Sequence, residues 1–183
     1  MTGNAQILEA LNVMAKLMEL HGENSFKTRS YSAAAFKLSK IRFDFNGKTE
    51  QDLENIEGIG KSMASKIVQL AATGTLPELR ALLDRTPPGV VQMLGVKGLG
   101  PKKVRQLWLE LNCESLGELQ YACNENRLLG LKGFGEKTQA QVLESIEFKL
   151  GNTNKFHYAT VEAPIKKLAD AVIKLSPGIK VAV

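Results

Sequence analysis

Apolar residues recur at spacings of three and four along most of this chain and almost nowhere alternate. Residues 4 to 20 set Ile7, Leu8, Leu11, Met14, Ala15 and Met18 on one stripe, which predicts an amphipathic helix. A second helix is predicted through Ser30 to Ile41. Capping-box spacing marks three further starts, Thr49 with Asp52, Thr75 with Glu78 and Ser115 with Glu118, where a hydroxyl can accept from first-turn amides. Strand-like alternation occurs only in Ile179-Lys-Val-Ala-Val183, entered through Ser176-Pro177-Gly178, and reads as the beginning of a β-strand. An all-α fold is expected, followed by the first piece of something else.

The helical segments are punctuated by one unit that occurs three times. Ile56-Glu-Gly-Ile-Gly60, Val96-Lys-Gly-Leu-Gly100 and Leu131-Lys-Gly-Phe-Gly135 share the form apolar-x-Gly-apolar-Gly. The same helical phase follows each: Ile67 and Val68, Leu107 and Trp108, Val142 and Leu143. Each doubled glycine is therefore read as the turn of a helix-turn-helix hairpin. An α-solenoid is the rival architecture, but such arrays keep their small residues inside helices rather than at the turn.

Composition narrows the function. The chain has 183 residues, 44% of them hydrophobic and 23% charged, enough to bury an ordinary core. No apolar run approaches the roughly 20 residues of a membrane span, and residues 1 to 8 lack the basic and apolar regions of an export signal, so no membrane role and a cytoplasmic location are expected. Cys113 and Cys123, with His21 and His157, fit neither zinc-ligand spacing nor a Cys-x-x-Cys motif. The net charge of +5 is modest, and its distribution matters more.

Basic residues collect beside the glycines. Lys97, Lys102, Lys103 and Arg105 surround the second turn, Lys61 and Lys66 follow the first, and Lys132 and Lys137 flank the third. Two glycines around one apolar residue leave backbone amides uncovered at the start of the next helix, where unpaired N–H groups and the helix dipole favour a phosphate oxygen. Pro101 suits a first helical position, since its missing N–H has no intrahelical partner there. Glu136 makes the third turn a weaker phosphate site, so packing is its alternative role. A turn that merely closes two helices is the competing explanation throughout. It gives no reason for lysine beside glycine, whereas binding a polyanion's backbone does. Dinucleotide binding is disfavoured, because its glycine turn follows a strand and none lies nearby.

The three turns look like helix-hairpin-helix motifs, and their order resembles the N-terminal portion of family X DNA polymerases. Phe26-Lys-Thr-Arg-Ser-Tyr31-Ser-Ala-Ala-Ala, Ile56 to Lys66 and Thr73-Gly-Thr-Leu are similar to the small lyase domain of polymerase beta. Thr86-Pro-Pro-Gly-Val-Val with Val96 to Lys103 resembles its thumb-side DNA-binding hairpin, and Leu131 to Leu143 the longer bacterial and archaeal version, whose members often add a C-terminal phosphoesterase domain. The resemblance implies that Gly58 and Gly60 grip the downstream strand at a gap; Lys61 beside them is a DNA-binding candidate by its charge. Gly98, Gly100, Lys102 and Lys103 would grip the primer side, with Arg105 a DNA-binding candidate by its charge and Gly133 and Gly135 the third pair. It also implies a Na⁺ or K⁺ ion at the first two turns, held by main-chain carbonyls of Ile56 and Ile59, and of Leu94, Val96 and Leu99. Mg²⁺ would belong only to the polymerase palm, whose Gly-Ser turn and aspartates are expected beyond Val183.

The same resemblance places Lys66 where the lyase nucleophile stands, with Lys27 and Tyr31 at pocket positions. Schiff-base chemistry needs a neutral amine, yet a lysine of ordinary pKa, about 10.4, is neutral in only about one molecule in 2,500 at pH 7. Burial or neighbouring cations must lower that value, with Lys61, Lys27 and Arg29 as candidate sources. Glu54 and Ser62 replace two phosphate-binding lysines, and Phe26 a usual histidine, so the pocket is depleted and weak or absent lyase activity is expected. Among the aromatics interleaved with Lys27, Arg29, Lys37, Lys40 and Arg42, Tyr31 is expected to reach DNA rather than Phe26 or Phe36. Trp108 is expected to pack.

The expected organisation is a lyase-like helical domain at residues 1–80, a helical DNA-binding domain with hairpins two and three at 81–151, and the start of a truncated α/β palm at 152–183. The expected function is sequence-independent binding of gapped or nicked DNA by a monomer, as part of a family X polymerase in base excision repair. A helical protein-interaction scaffold and an autonomous 5′-deoxyribose-phosphate lyase are the alternatives.

Overall fold

Residues 3–41, 44–45 and 47–153 are described in a computed structural model of the chain. Nine α-helices follow one another with no strand among the described residues: α1 (Asn4–Leu20), α2 (Ser25–Lys40), α3 (Glu50–Glu54), α4 (Lys61–Thr73), α5 (Pro77–Asp84), α6 (Pro88–Met93), α7 (Pro101–Leu111), α8 (Leu116–Asn124) and α9 (Glu136–Thr153). A short 3₁₀ turn, Arg127–Gly130, precedes the last hairpin. The stretch from Phe156 to Leu175 and the expected strand at Ile179 lie outside the described residues. The chain divides into two compact units, Met1–Ser145 and Ile146–Val183.

The first unit is built around α1. Ile7, Leu11, Met14, Ala15 and Met18 of the expected stripe are buried, and so are Leu17 and Leu20. That widened face packs against α2, α4, α5 and α7, so one helix supports both the first and the second hairpin. The repeated phase after each glycine turn is core: Ile67, Leu107 and Val142 are completely buried. Truncating Ile67 or Leu107 to alanine removes apolar contact and leaves a void, at a cost of about 2–5 kcal/mol.

Two local expectations are corrected. Helix α2 begins at Ser25, not Ser30, because the Asn24 side chain accepts from the Phe26 and Lys27 N–H groups at 2.9 and 3.2 Å. The boxes at Thr49 and Ser115 form, but the one at Thr75 does not. Pro77 opens α5 and supplies its preset φ, and Glu78 turns away to another partner.

Between the two hairpins, polar groups lock the C-terminal end of α1 onto the α5–α6 joint. The buried Thr86 hydroxyl donates to the Leu82 carbonyl at 2.6 Å, so it accepts from His21 Nε2–H at 2.8 Å. Arg85 pairs with Glu23, and the Trp108 ring meets His21 edge-on with centroids 5.9 Å apart. Trp108 thus packs, as its phase predicts, while Nε1–H donates to Glu114 at 3.1 Å.

Candidate nucleic-acid interface

Each repeat folds into the same turn. The N–H of Ile59, Leu99 or Phe134 donates back to the carbonyl of Ile56, Val96 or Leu131 at 2.9, 3.1 and 3.2 Å. The preceding glycine takes φ of +83° at Gly58, +90° at Gly98 and +85° at Gly133, a region that costs other residues about 1–2 kcal/mol. Between each pair of exposed glycines the apolar residue points inward, with Ile59, Leu99 and Phe134 all buried. The anchor goes down and the backbone faces out.

The second glycine of each pair opens the next helix. Gly60 and Gly100 precede α4 and α7 without any side-chain cap. Their carbonyls begin the helical ladder, accepting from Ala64 and Val104, as Gly135 accepts from Gln139, all at 3.0 Å. A Cβ placed at Gly60, Gly100 or Gly135 would have no atom within 4 Å, so these helix starts are open among the described residues. Lys61 and Lys102 stand exposed in the first turn of their helices, where their charge adds to that of the dipole end. Lys103 lies over the Phe134 ring at 5.2 Å, and Gln141 Oε1 would sit 3.2 Å from a Cβ on Gly98, so the second and third hairpins adjoin. Arg105 is turned to the other side, its guanidinium over Gly22.

The carbonyl side of the first two turns meets lysines from other helices. Lys16 of α1 donates to the Leu94 carbonyl at 3.2 Å, and Lys37 of α2 donates to the Glu57 carbonyl at 2.8 Å with its methylenes over Gly58. These contacts test whether the expected carbonyl sets suit a monovalent ion. At the second turn they do not fit, since an ion on Leu94 would stand beside an ammonium on the same oxygen. Like charges about 4 Å apart repel by about 4 kcal/mol at an effective dielectric of about 20. At the first turn Ile56 and Ile59 remain as ligands, with Lys37 on the carbonyl between them in sequence.

Beside the first turn a cleft of about 1080 Å³ is lined by Met14, Met18, Phe26, Lys27, Tyr31, Gly58, Gly60, Lys61, Ser62, Lys66, Glu78 and Arg85, among others. Lys66 lies in it with an ammonium bound to Glu78 Oε1 at 2.5 Å and placed 5.5 Å from the centre of the Tyr31 ring. Burial acts to lower its pKa, but the hydrogen bonds to Glu78 and Tyr31 together outweigh it, and the pKa is raised. Glu78 is shifted down, chiefly by its bond from Lys66. The depression of Lys66 that Schiff-base chemistry requires is therefore not met: the lysine is bound to a carboxylate, which holds the proton on.

Two family models match this organisation, a helix-hairpin-helix domain over residues 2–76 and a SAM-like helix-hairpin-helix tandem over residues 90–147. A relative, the DNA polymerase/3′-5′ exonuclease PolX of Bacillus subtilis (strain 168), is 33% identical over 140 residues, 76% of this chain. The chain belongs to the helix-hairpin-helix region of the family X DNA polymerases. It spans about a quarter of that relative's length, 24%.

Within this family X region the structure gathers some of the expected residues and separates others. Lys27, Tyr31, Gly58, Gly60, Lys61 and Lys66 share the cleft, whereas Arg29 is not among its lining residues. The aromatics reverse their expected exposure: Phe26 and Phe36 are 78% and 65% exposed and Tyr31 only 4%. With α2 starting at Ser25, Tyr31 falls in phase with Ala34, Ala35 and Leu38 on the buried stripe. Lys16, Lys37, Glu78 and Arg85 were not singled out as site residues from sequence. Glu78 did carry a local signal, its spacing from Thr75, but that signal pointed to a cap.

Proposed function

We propose that this region binds DNA along its sugar-phosphate backbone, without reading bases, and that within a family X polymerase it holds gapped or nicked duplex during repair. The first hairpin takes the downstream strand and the second the primer strand. The third, with Glu136 at its helix start, contributes packing and weaker phosphate contact. The observation that carries this reading is the threefold recurrence of an open helix start beside lysine, each over a buried anchor, the first two without a side-chain cap. Backbone amides and cations at such points suit phosphate oxygens and ignore base identity.

The cleft beside the first hairpin supports holding a strand end more than cleaving it. Lys27, Lys61, Lys66 and Arg85 supply cations, and Lys66 as an ammonium serves a phosphate well but attacks no aldehyde. Fluorescence anisotropy with nicked, gapped and intact duplexes over a range of salt tests the proposal. Affinity should fall steeply with salt, follow neither base sequence nor composition, and favour the interrupted duplexes. Salt-independent or absent DNA binding would leave the helical scaffold reading in its place.

A further inference from the structure

Lys16 is half-buried, and among the described residues it has no carboxylate within 4 Å. Its hydrogen-bond partner is instead an uncharged main-chain oxygen, Leu94 O, on a residue distant in sequence. Leu94 closes α6, so its carbonyl is one of those that a helix end leaves without an internal donor. It is also one of the oxygens that an ion at this turn would need. A primary ammonium is close to K⁺ in charge and size. Bringing one in on a side chain satisfies the same oxygen without capturing an ion from solution, and it joins α1 to the second hairpin.

We propose that Lys16 is the resident cation of the second hairpin, a tethered ammonium that takes the place of a free Na⁺ or K⁺ at the Leu94 carbonyl and fixes that turn to α1. Lys37 on the Glu57 carbonyl is the parallel contact at the first hairpin, again brought from a helix outside the motif. The turn's geometry then does not vary with the monovalent ion in solution. This inference concerns the free protein and stands or falls without DNA.

Thermal unfolding of the full chain in potassium, sodium and tetramethylammonium chloride at matched ionic strength tests it. Tetramethylammonium keeps the ionic strength but is too large to sit among carbonyls. The wild type should melt within about 1 °C in all three salts. Lys16→Met should melt about 4 °C lower in tetramethylammonium, the loss of one charged hydrogen bond in a chain of this size, and should recover in potassium as an ion enters the vacated place. Lys16→Arg, which keeps a cation, should stay near the wild type in every salt. Wild-type stability that falls when potassium is withdrawn would overturn the proposal, as would a Lys16→Met deficit equal in all three salts. Should Lys16→Met fail to fold, wild-type crystals soaked in thallium(I) decide: an anomalous peak within ligand distance of the Leu94 carbonyl refutes it, and its absence there supports it.

Discussion

At the residue scale, the two glycines of a turn do different work, and substitution separates them. Gly98 is held at φ of +90° with Gln141 close to where a Cβ would project, so Gly98→Ala should lower stability by about 1–2 kcal/mol. Gly100 has an ordinary negative φ and open space, so Gly100→Ala should cost less than about 1 kcal/mol while its methyl group obstructs the amides. Urea melts with anisotropy check the pair: the first variant should lose mainly stability, the second mainly DNA affinity. Lys66 and Glu78 make another separable pair. Removing the carboxylate by Glu78→Gln leaves only Tyr31 to oppose burial at Lys66 and lowers its pKa from the wild-type value. Borohydride trapping on an incised abasic duplex should give little adduct with the wild type and more with Glu78→Gln. The gain should vanish in the double variant with Lys66→Ala. Strong trapping by the wild type would show that the carboxylate does not silence the lysine.

Helices and joints carry their own expectations. Ser115 accepts from the Glu118 N–H at 3.2 Å while Glu118 returns bonds to the Glu114 and Ser115 N–H groups, so Ser115→Ala should cost about 1 kcal/mol of unfolding free energy. At the joint between α1 and α5, burial first and the Arg85 charge second push the His21 pKa below its usual value. The unfolded chain then takes up a proton near pH 6.5 that the folded chain resists, so stability declines as pH falls below about 6.5. Because Nε2 already donates to Thr86, the added proton would enter at Nδ1, opposed by the charges of Arg85 and Arg105 and only partly favoured by that of Glu23. Melting temperatures at pH 7.5 and 5.5 should differ more for the wild type than for His21→Gln. An equal difference would place the titration elsewhere.

For the whole molecule, the arrangement that matters is several cationic helix starts carried on one compact unit around α1. Each phosphate neutralised releases counterions and adds about 0.9 to the slope of log affinity against log salt. Lys102→Ala should therefore reduce the slope by about 1 and weaken binding alike on every sequence, as measured by anisotropy on two unrelated duplexes. A sequence-dependent loss would mean that Lys102 reads a base edge. Among the described residues no helix is long and apolar enough to cross a membrane.

The sequence by itself determined the elements whose signal is local. Period, caps and doubled glycines announce α1, the boxes at Thr49 and Ser115 and all three turns, because helix phase and positive φ are properties of a few consecutive residues. Only the tertiary structure decided which charges meet. Lys66 finds Glu78 across a helical hairpin, Lys16 reaches Leu94 from another helix, and Tyr31 rather than Phe26 turns inward once Asn24 resets the start of α2. A side chain's ionisation depends on what stands within a few ångströms of it, and distance along the chain carries almost no information about that.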